Sequence, residues 1–241
     1  MAAAGAEAQL TPTPLPPLPG DINSVARGIN PRGEVVGSSS GFFSFNTAVL
    51  WDRDGTPMPL PPLPGDLSSA ALSINPRGEI VGTSGVFSPF FGRAVVWSLD
   101  GTPKLLPDPP GRMTSSPRGI NPRGEVVGNS FTGGNSFPGT FNTAVLWDRD
   151  GNPTLLPPLP GDFSGDATSI NPRGDVVGTS FGNIFRPITA VLWDRDGSPT
   201  PLLPLPGDTN SEAHGINPRG DVVGVSIPFV GRMTAVVWRG P

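Results

Sequence analysis

The nonapeptide at positions 29–37, I-N-P-R-G-E-V-V-G, constrains this chain more than any other stretch, because it returns four times with light variation. Its asparagine falls at Asn30, Asn75, Asn121, Asn171 and Asn217, in steps of 45, 46, 50 and 46 residues. A period of that length marks a repeat architecture, in which each unit buries its apolar faces only against its neighbours. The 241 residues include 33 Gly and 33 Pro, a content that without periodicity reads as low complexity. Here they sit at fixed places between apolar runs and act as turn and edge punctuation.

Each unit holds four short extended runs. Run A, Ser24 to Ile29, carries small residues. The turn Asn30-Pro31-Arg32-Gly33 follows, with Asn first, Pro second and Gly fourth, as a type I turn followed by a left-handed Gly requires. Run B, Glu34 to Gly37, is short and β-branched. A variable B–C loop leads to run C, Thr47 to Trp51, apolar enough to be buried on both faces. Asp52-Arg53-Asp54-Gly55 is a second turn of the same kind. Run D, Pro57 to Leu63, is rich in Pro, which cannot donate ladder hydrogen bonds and so belongs at a sheet edge. Tryptophan closes run C five times, at Trp51, Trp97, Trp147, Trp193 and Trp238.

Four antiparallel strands repeated radially describe a β-propeller. The expected fold is therefore all-β, a single domain over 1–241 with five blades at 22–63, 67–109, 113–159, 163–205 and 209–238. Residues 10–18 resemble the end of a unit, and the chain stops after the last run C. The ring is thus expected to close by residues 10–18 serving as outer strand of the fifth blade, with the protein a monomer. An open five-unit solenoid would leave residues 10–18 without a partner.

The unit I-N-x-x-G-x-V-V-G, then A-x-L-W, then L-P-x-L-P-G-D is similar to the HAF-repeat family. The similarity runs through Ile29-Asn30, Gly33, Val35-Val36-Gly37 and Ala48 to Trp51, and again in each unit. The resemblance implies a propeller fold and an extracellular bacterial setting, and implies no particular chemistry. The chain departs from the family at its naming tripeptide, with Thr47-Ala48-Val49 and Arg93-Ala94-Val95 in place of His-Ala-Phe. It also has Leu-Pro and Pro-Gly where the family has Leu-Gly and Gly-Gly. Repeats this alike suit a recently amplified or an engineered sequence.

A net charge of -4 disfavours nucleic acid, which needs a basic face. There is no Cys, hence no disulfide and no thiolate metal site. No apolar run approaches the roughly 18 residues of a membrane span, and the first ten residues do not read as an intact signal peptide. No cofactor is expected. The D-x-D-G turns open like a calcium loop but lack its later ligands. His214 is the only histidine; its place holds Arg27, Leu72, Arg118 and Thr168 in the other units, with no nucleophile motif beside it. The reading is a non-catalytic binding or scaffold propeller, for a protein, small molecule or glycan held by loops on one face. The alternative is a multivalent lectin with sites between blades, as in the five-bladed tachylectin family; a hydrolase comes last.

Two sets of residues are candidate sites. The turn arginines Arg32, Arg77, Arg123, Arg173 and Arg219 form a rim that either neutralises itself against acidic neighbours or binds anions. The B–C loops run 11, 12, 16, 12 and 11 residues from the last Gly of run B to the Ala of run C, and hold 12 of 13 Phe. Phe43, Phe90, Phe131, Phe137, Phe141, Phe185 and Phe229 are the candidate ligand contacts there; the competing reading packs these rings between blades.

Overall fold

Two turns per repeat set the architecture. Gly33 N–H donates to Asn30 O at 3.0 Å, and Gly33 has a φ of 83°, the left-handed value its place in the turn demands. Gly55 N–H donates to Asp52 O at 2.9 Å in the same way. The computed structural model describes residues 11–42, 45–86, 92–132, 142–182 and 186–240.

The strands between these turns form five antiparallel sheets in chain order. The first holds β1 (Asn23–Ile29), β2 (Val35–Ser40), β3 (Thr47–Trp51) and β4 (Pro57–Leu60); the second β5 (Ser68–Ile74), β6 (Ile80–Gly85), β7 (Arg93–Trp97) and β8 (Pro103–Leu105). The third holds β9 (Thr114–Ile120), β10 (Val126–Phe131), β11 (Asn142–Trp147) and β12 (Pro153–Leu155); the fourth β13 (Ser164–Ile170), β14 (Val176–Phe181), β15 (Thr189–Trp193) and β16 (Pro199–Leu202). The fifth has only β17 (Asn210–Ile216), β18 (Val222–Ile227) and β19 (Thr234–Trp238). Among the described residues no helix is long and apolar enough to cross a membrane.

Run B extends further than its β-branched core suggests, to Ser40, and run D stops at Leu60 rather than Leu63. Run B is lengthened by pairing with run A of its own sheet, Ser38 to Ser40 against Val25 to Asn23, and run D is shortened by contacts with the neighbouring repeat. Past Leu60 the chain leaves the ladder, and Pro61 O accepts the indole N–H of Trp97 in the next sheet at 2.7 Å. Trp147, Trp193 and Trp238 donate likewise to Pro107, Pro157 and Leu203. Leu63 N–H then donates to Ser84 Oγ at 2.8 Å, and Ser84 Oγ donates to Asp66 at 2.6 Å. The L-P-G-D segment is thus the entry to the following sheet, tied down by a serine of that sheet's second strand. Ser180 and Ser226 repeat the arrangement with Asp162 and Asp208.

Each sheet packs face to face on the next. Val36, Ala48 and Leu60 of the first sheet bury against Ile74, Ile80, Val95 and Trp97 of the second. The pattern recurs at the following steps. In run C, Ala48 faces the following sheet, whereas Val95 and Trp97 of the next repeat face back toward the preceding one. A central sheet with neighbours on both sides needs apolar residues on both faces, which is why this run does not alternate.

The two ends of the series differ from its middle. Val223 is 52% exposed while its equivalents Val36, Val81, Val127 and Val177 are fully buried. Ile29 is 69% exposed, against 8% for Ile74. The outward face of the fifth sheet and the inward-stepping face of the first therefore lack the neighbour that every other sheet has. The fifth sheet, expected to take residues 10–18 as its outer strand, has three strands, and the described part of residues 10–18 adds none to it. Three bonds hold that segment on the first sheet. Ser24 Oγ donates to Leu15 O, Trp51 Nε1 to Pro16 O, and Leu18 N–H to Ser39 Oγ, all at 2.7–2.9 Å.

Candidate functional site

The face formed by the N-P-R-G turns is satisfied internally. Asn75 Oδ1 accepts from Arg77 N–H and Glu79 N–H, and Asn75 Nδ2 donates to Glu79 Oε2 and, at 3.0 Å, to Asn121 O in the next sheet. Asn30, Asn121 and Asn171 make the same forward step to Asn75, Asn171 and Asn217. The asparagines thus form a ladder that runs from sheet to sheet. Beside it, each rim arginine meets the carboxylate two residues on: Arg32 with Glu34, Arg77 with Glu79 and Arg123 with Glu125, each at 2.7 Å. Arg173 meets Asp175 at 3.0 Å and Arg219 meets Asp221 at 3.5 Å. Burial pushes the Glu34 carboxyl up, but the hydrogen bonds from Asn30 and Arg32 and the charge of Arg32 outweigh it and hold the group below its usual range. The first four guanidiniums also reach over the turn glycine of the following repeat, at Gly78, Gly124, Gly174 and Gly220. Arg219 has no such seat and is 86% exposed in its side chain. The first four rim arginines thus pair within their own turn and lie over the step to the next sheet.

The innermost strand behaves differently. In all five sheets its ladder with the second strand carries a β-bulge at one position. The bulged residues are Arg27, Leu72, Arg118, Thr168 and His214. A bulge frees a residue from the ladder and re-aims its side chain. Directly across, the glycine that ends V-V-G (I-V-G in the second repeat) sits against the bulge; a Cβ on Gly82 would fall on the Ala70 carbonyl, and Gly37, Gly128, Gly178 and Gly224 are placed alike. The repeat thus keeps the bulge constant while the residue that stands on it varies.

Arg27, Leu72 and Arg118 line one cavity of about 590 Å³, shared by the first three sheets and reaching the B–C loops at Asn46 and Phe131. That volume is in the range of small-molecule sites. Thr168 instead bonds Val177 O and, across to the fifth sheet, Ala213 O. His214 Nε2 lies 3.5 Å from Glu212 Oε2. Ser211, the nearest hydroxyl in sequence, accepts from Ala190 N–H and donates to Leu202 O; it is buried and its hydrogen bonds join the fourth and fifth sheets. In the fourth sheet, burial raises Asp166, an effect that Asn142 and the charge of Arg118 only partly offset.

Of the candidate Phe, Phe131 is half-buried at the cavity edge and Phe229 is 89% exposed. Phe43, Phe90, Phe137, Phe141 and Phe185 lie outside the described residues. The four fully buried indoles, Trp51, Trp97, Trp147 and Trp193, hold sheets together and offer no stacking surface. The carboxylates of the D-x-D-G turns are occupied by their own backbone: Asp52 Oδ1 accepts from Asp54 and Thr56 N–H, and Asp148 and Asp194 do the same. Asn152 and the turn amides hold Asp148 below its ordinary value. Among the described residues no group of three or more acidic or histidine side chains gathers as metal ligands would.

The bulged residues were visible in the sequence only as a column where near-identical repeats disagree. Nothing in the sequence says that this column faces a cavity, because the bulge inverts the ordinary alternation of the strand.

No family model matches the chain, and no curated protein matches it. Among solved structures it is similar to puromycin hydrolase, at 17% identity over 87% of this chain and 38% of that one, with a TM-score of 0.55. It is also similar to TolB from Acinetobacter baumannii, at 15% identity over 86% of this chain and 50% of that one, with a TM-score of 0.53. A streptogramin B lyase is 14% identical over 90% of this chain and 69% of its own, with a TM-score of 0.51. At these identities the likeness is one of fold, and together with the stacked antiparallel sheets it makes this an all-β, propeller-type chain. The chain spans half the length of TolB and less of puromycin hydrolase.

Proposed function

We propose that this protein is a non-catalytic binding propeller that takes its ligand at the B–C loop end of the innermost strands. One observation carries this reading: the bulged residues and the B–C loops vary among the repeats, while the N-P-R-G turns of the opposite rim are the same in all five and are hydrogen-bonded among themselves. Loops and re-aimed side chains on a rigid scaffold are where recognition usually resides. Screening glycans and small molecules by thermal shift tests the reading, since a ligand bound only by the native state raises Tm. Ligands that raise Tm are expected to lose that effect in Leu72→Glu, which intrudes on the cavity, and to keep it in the rim variant Arg219→Gln. No hydrolase substrate should turn over; turnover abolished by His214→Ala or Asp166→Asn would sink the non-catalytic reading.

The scaffold is proposed to be a five-bladed ring closed within one monomeric chain. Thr11 to Leu15 align with Thr56 to Leu60, and Ser24 takes Leu15 O as Ser69 takes Leu60 O. Residues 11–15 thus already hold the station of an outer strand relative to the first sheet. By the register of β3 with β4, Ala235 comes opposite Leu15. Ala235 N–H then reaches Ser24 Oγ as Ala48 N–H reaches Ser69 Oγ. The chain has no native cysteine, so the pair Leu15→Cys and Ala235→Cys reports the contact directly. Oxidation is expected to give a crosslinked monomer with a raised Tm. Crosslinking only between chains, or none, would overturn intrachain closure.

A further inference from the structure

We infer that the cavity of the first three sheets is a binding site for a small anion, a carboxylate or phosphate group carried on a polar body. The inference rests on the binding reading above and names the chemistry of that site.

Three observations support it. First, Arg27 and Arg118 project from bulges of the first and third sheets into one cavity. The second sheet, between them, contributes Leu72 at the same position, so the two guanidiniums are set apart by an apolar wall. Second, neither guanidinium has a hydrogen bond or ion pair among the described residues, whereas all five arginines of the rim are paired. In a chain of net charge -4, two guanidiniums with no hydrogen bond or ion pair among the described residues form, on one concave surface, a local site of opposite sign to the molecule. Third, no carboxylate lines the cavity among its described residues; its remaining polar lining includes the neutral side chains Asn46, Ser116 and Asn129. Asp166, in the fourth sheet, feels the charge of Arg118 but does not line the cavity.

Planar guanidiniums recognise carboxylate and phosphate oxygens through paired charge-assisted hydrogen bonds. The neutral amides and hydroxyl suit a polar body, and Leu72 with Pro117 suits a short apolar segment beside it. The cavity's size excludes an extended polyanion from full insertion and fits a metabolite-sized ligand.

The test is titration of the full chain with inorganic phosphate, with succinate and with neutral glucose, followed by amide and arginine Nε shifts in NMR. Saturable shifts of Arg27 and Arg118 Nε with phosphate, succinate or both are expected, and which anion saturates first separates the two sources. Arg27→Gln and Arg118→Gln should each weaken that binding on the order of tenfold, while Arg32→Gln on the rim leaves it unchanged. Both substituted side chains are exposed; if Arg118→Gln disturbs the bulge, Arg27→Gln decides alone. The inference is overturned if neither anion binds saturably, or if Arg32→Gln weakens binding as much as the cavity variants. Saturation by glucose at Asn46 with no response to either anion overturns the anion inference yet leaves the binding function standing.

Discussion

Gly82→Ala is expected to lower Tm by more than about 6–12 °C, from a loss above about 3 kcal/mol at the size of this chain, or to abolish folding. Gly82 stands at the centre of the second sheet, opposite the bulge at Leu72. A Cβ there would meet the carbonyl carbon and oxygen of Ala70 and the Cα of Ala71. These are backbone atoms of the paired strand, so no side-chain rotation relieves the clash. The strands must separate or the bulge must be lost, and either breaks the ladder that carries the second sheet. Gly65→Ala makes the same chemical change in the entry turn, where nothing lies within 4 Å of the added carbon and φ is +88°. Its cost is that of a left-handed Ala, about 1–2 kcal/mol. Thermal denaturation of the two variants side by side checks the argument. Similar losses at both would show that the close approach across the bulge is not what requires glycine at Gly82.

The asparagine ladder carries the second large effect. Asn75→Ala removes four hydrogen bonds at a site 1% exposed. Two of them shape the turn, one fixes Glu79, and one ties the second sheet to the third. At about 0.5–1.5 kcal/mol net for each bond, the loss is about 2–6 kcal/mol, or roughly 4–24 °C in Tm. Asn217 makes the same turn and the same bond to its carboxylate, but no following sheet accepts from it among the described residues. Asn217→Ala should cost less while the fifth sheet has no following neighbour, and as much as Asn75→Ala once the proposed closure sets Asn30 beside it. A loss for Asn75→Ala below about 2 kcal/mol in urea denaturation would show that the bond between sheets contributes little.

A large part of the fold was legible because it rests on local chemistry repeated at a fixed period. Asn30, Pro31 and Gly33 specify a turn by their own backbone preferences, and Pro57 and Pro59 forbid a central strand whatever surrounds them. The tryptophans closed each run C, and the doubly apolar run Ala48 to Trp51 implied a sheet with neighbours on both faces. The candidate site was less legible. The rim arginines read as either self-neutralising or anion-binding, and only the structure sets them beside the carboxylates two residues on and over the glycines of the following repeats, since Arg32 reaches Gly78 only through the stacking of sheets.

What only the tertiary structure decided are the relations between repeats. Leu-Pro-Gly-Asp looks like the end of a unit, but Ser84 shows it to be the entrance to the next. Gly82 reads as the end of run B, but its reason lies across the ladder at Ala70. Arg27 and Arg118 differ from their equivalents in sequence without any sign of where they point. Local preferences are encoded residue by residue and can be read in order. Contacts 20 to 50 residues apart depend on how one sheet is set on the next, and that arrangement exists only once the repeats have stacked.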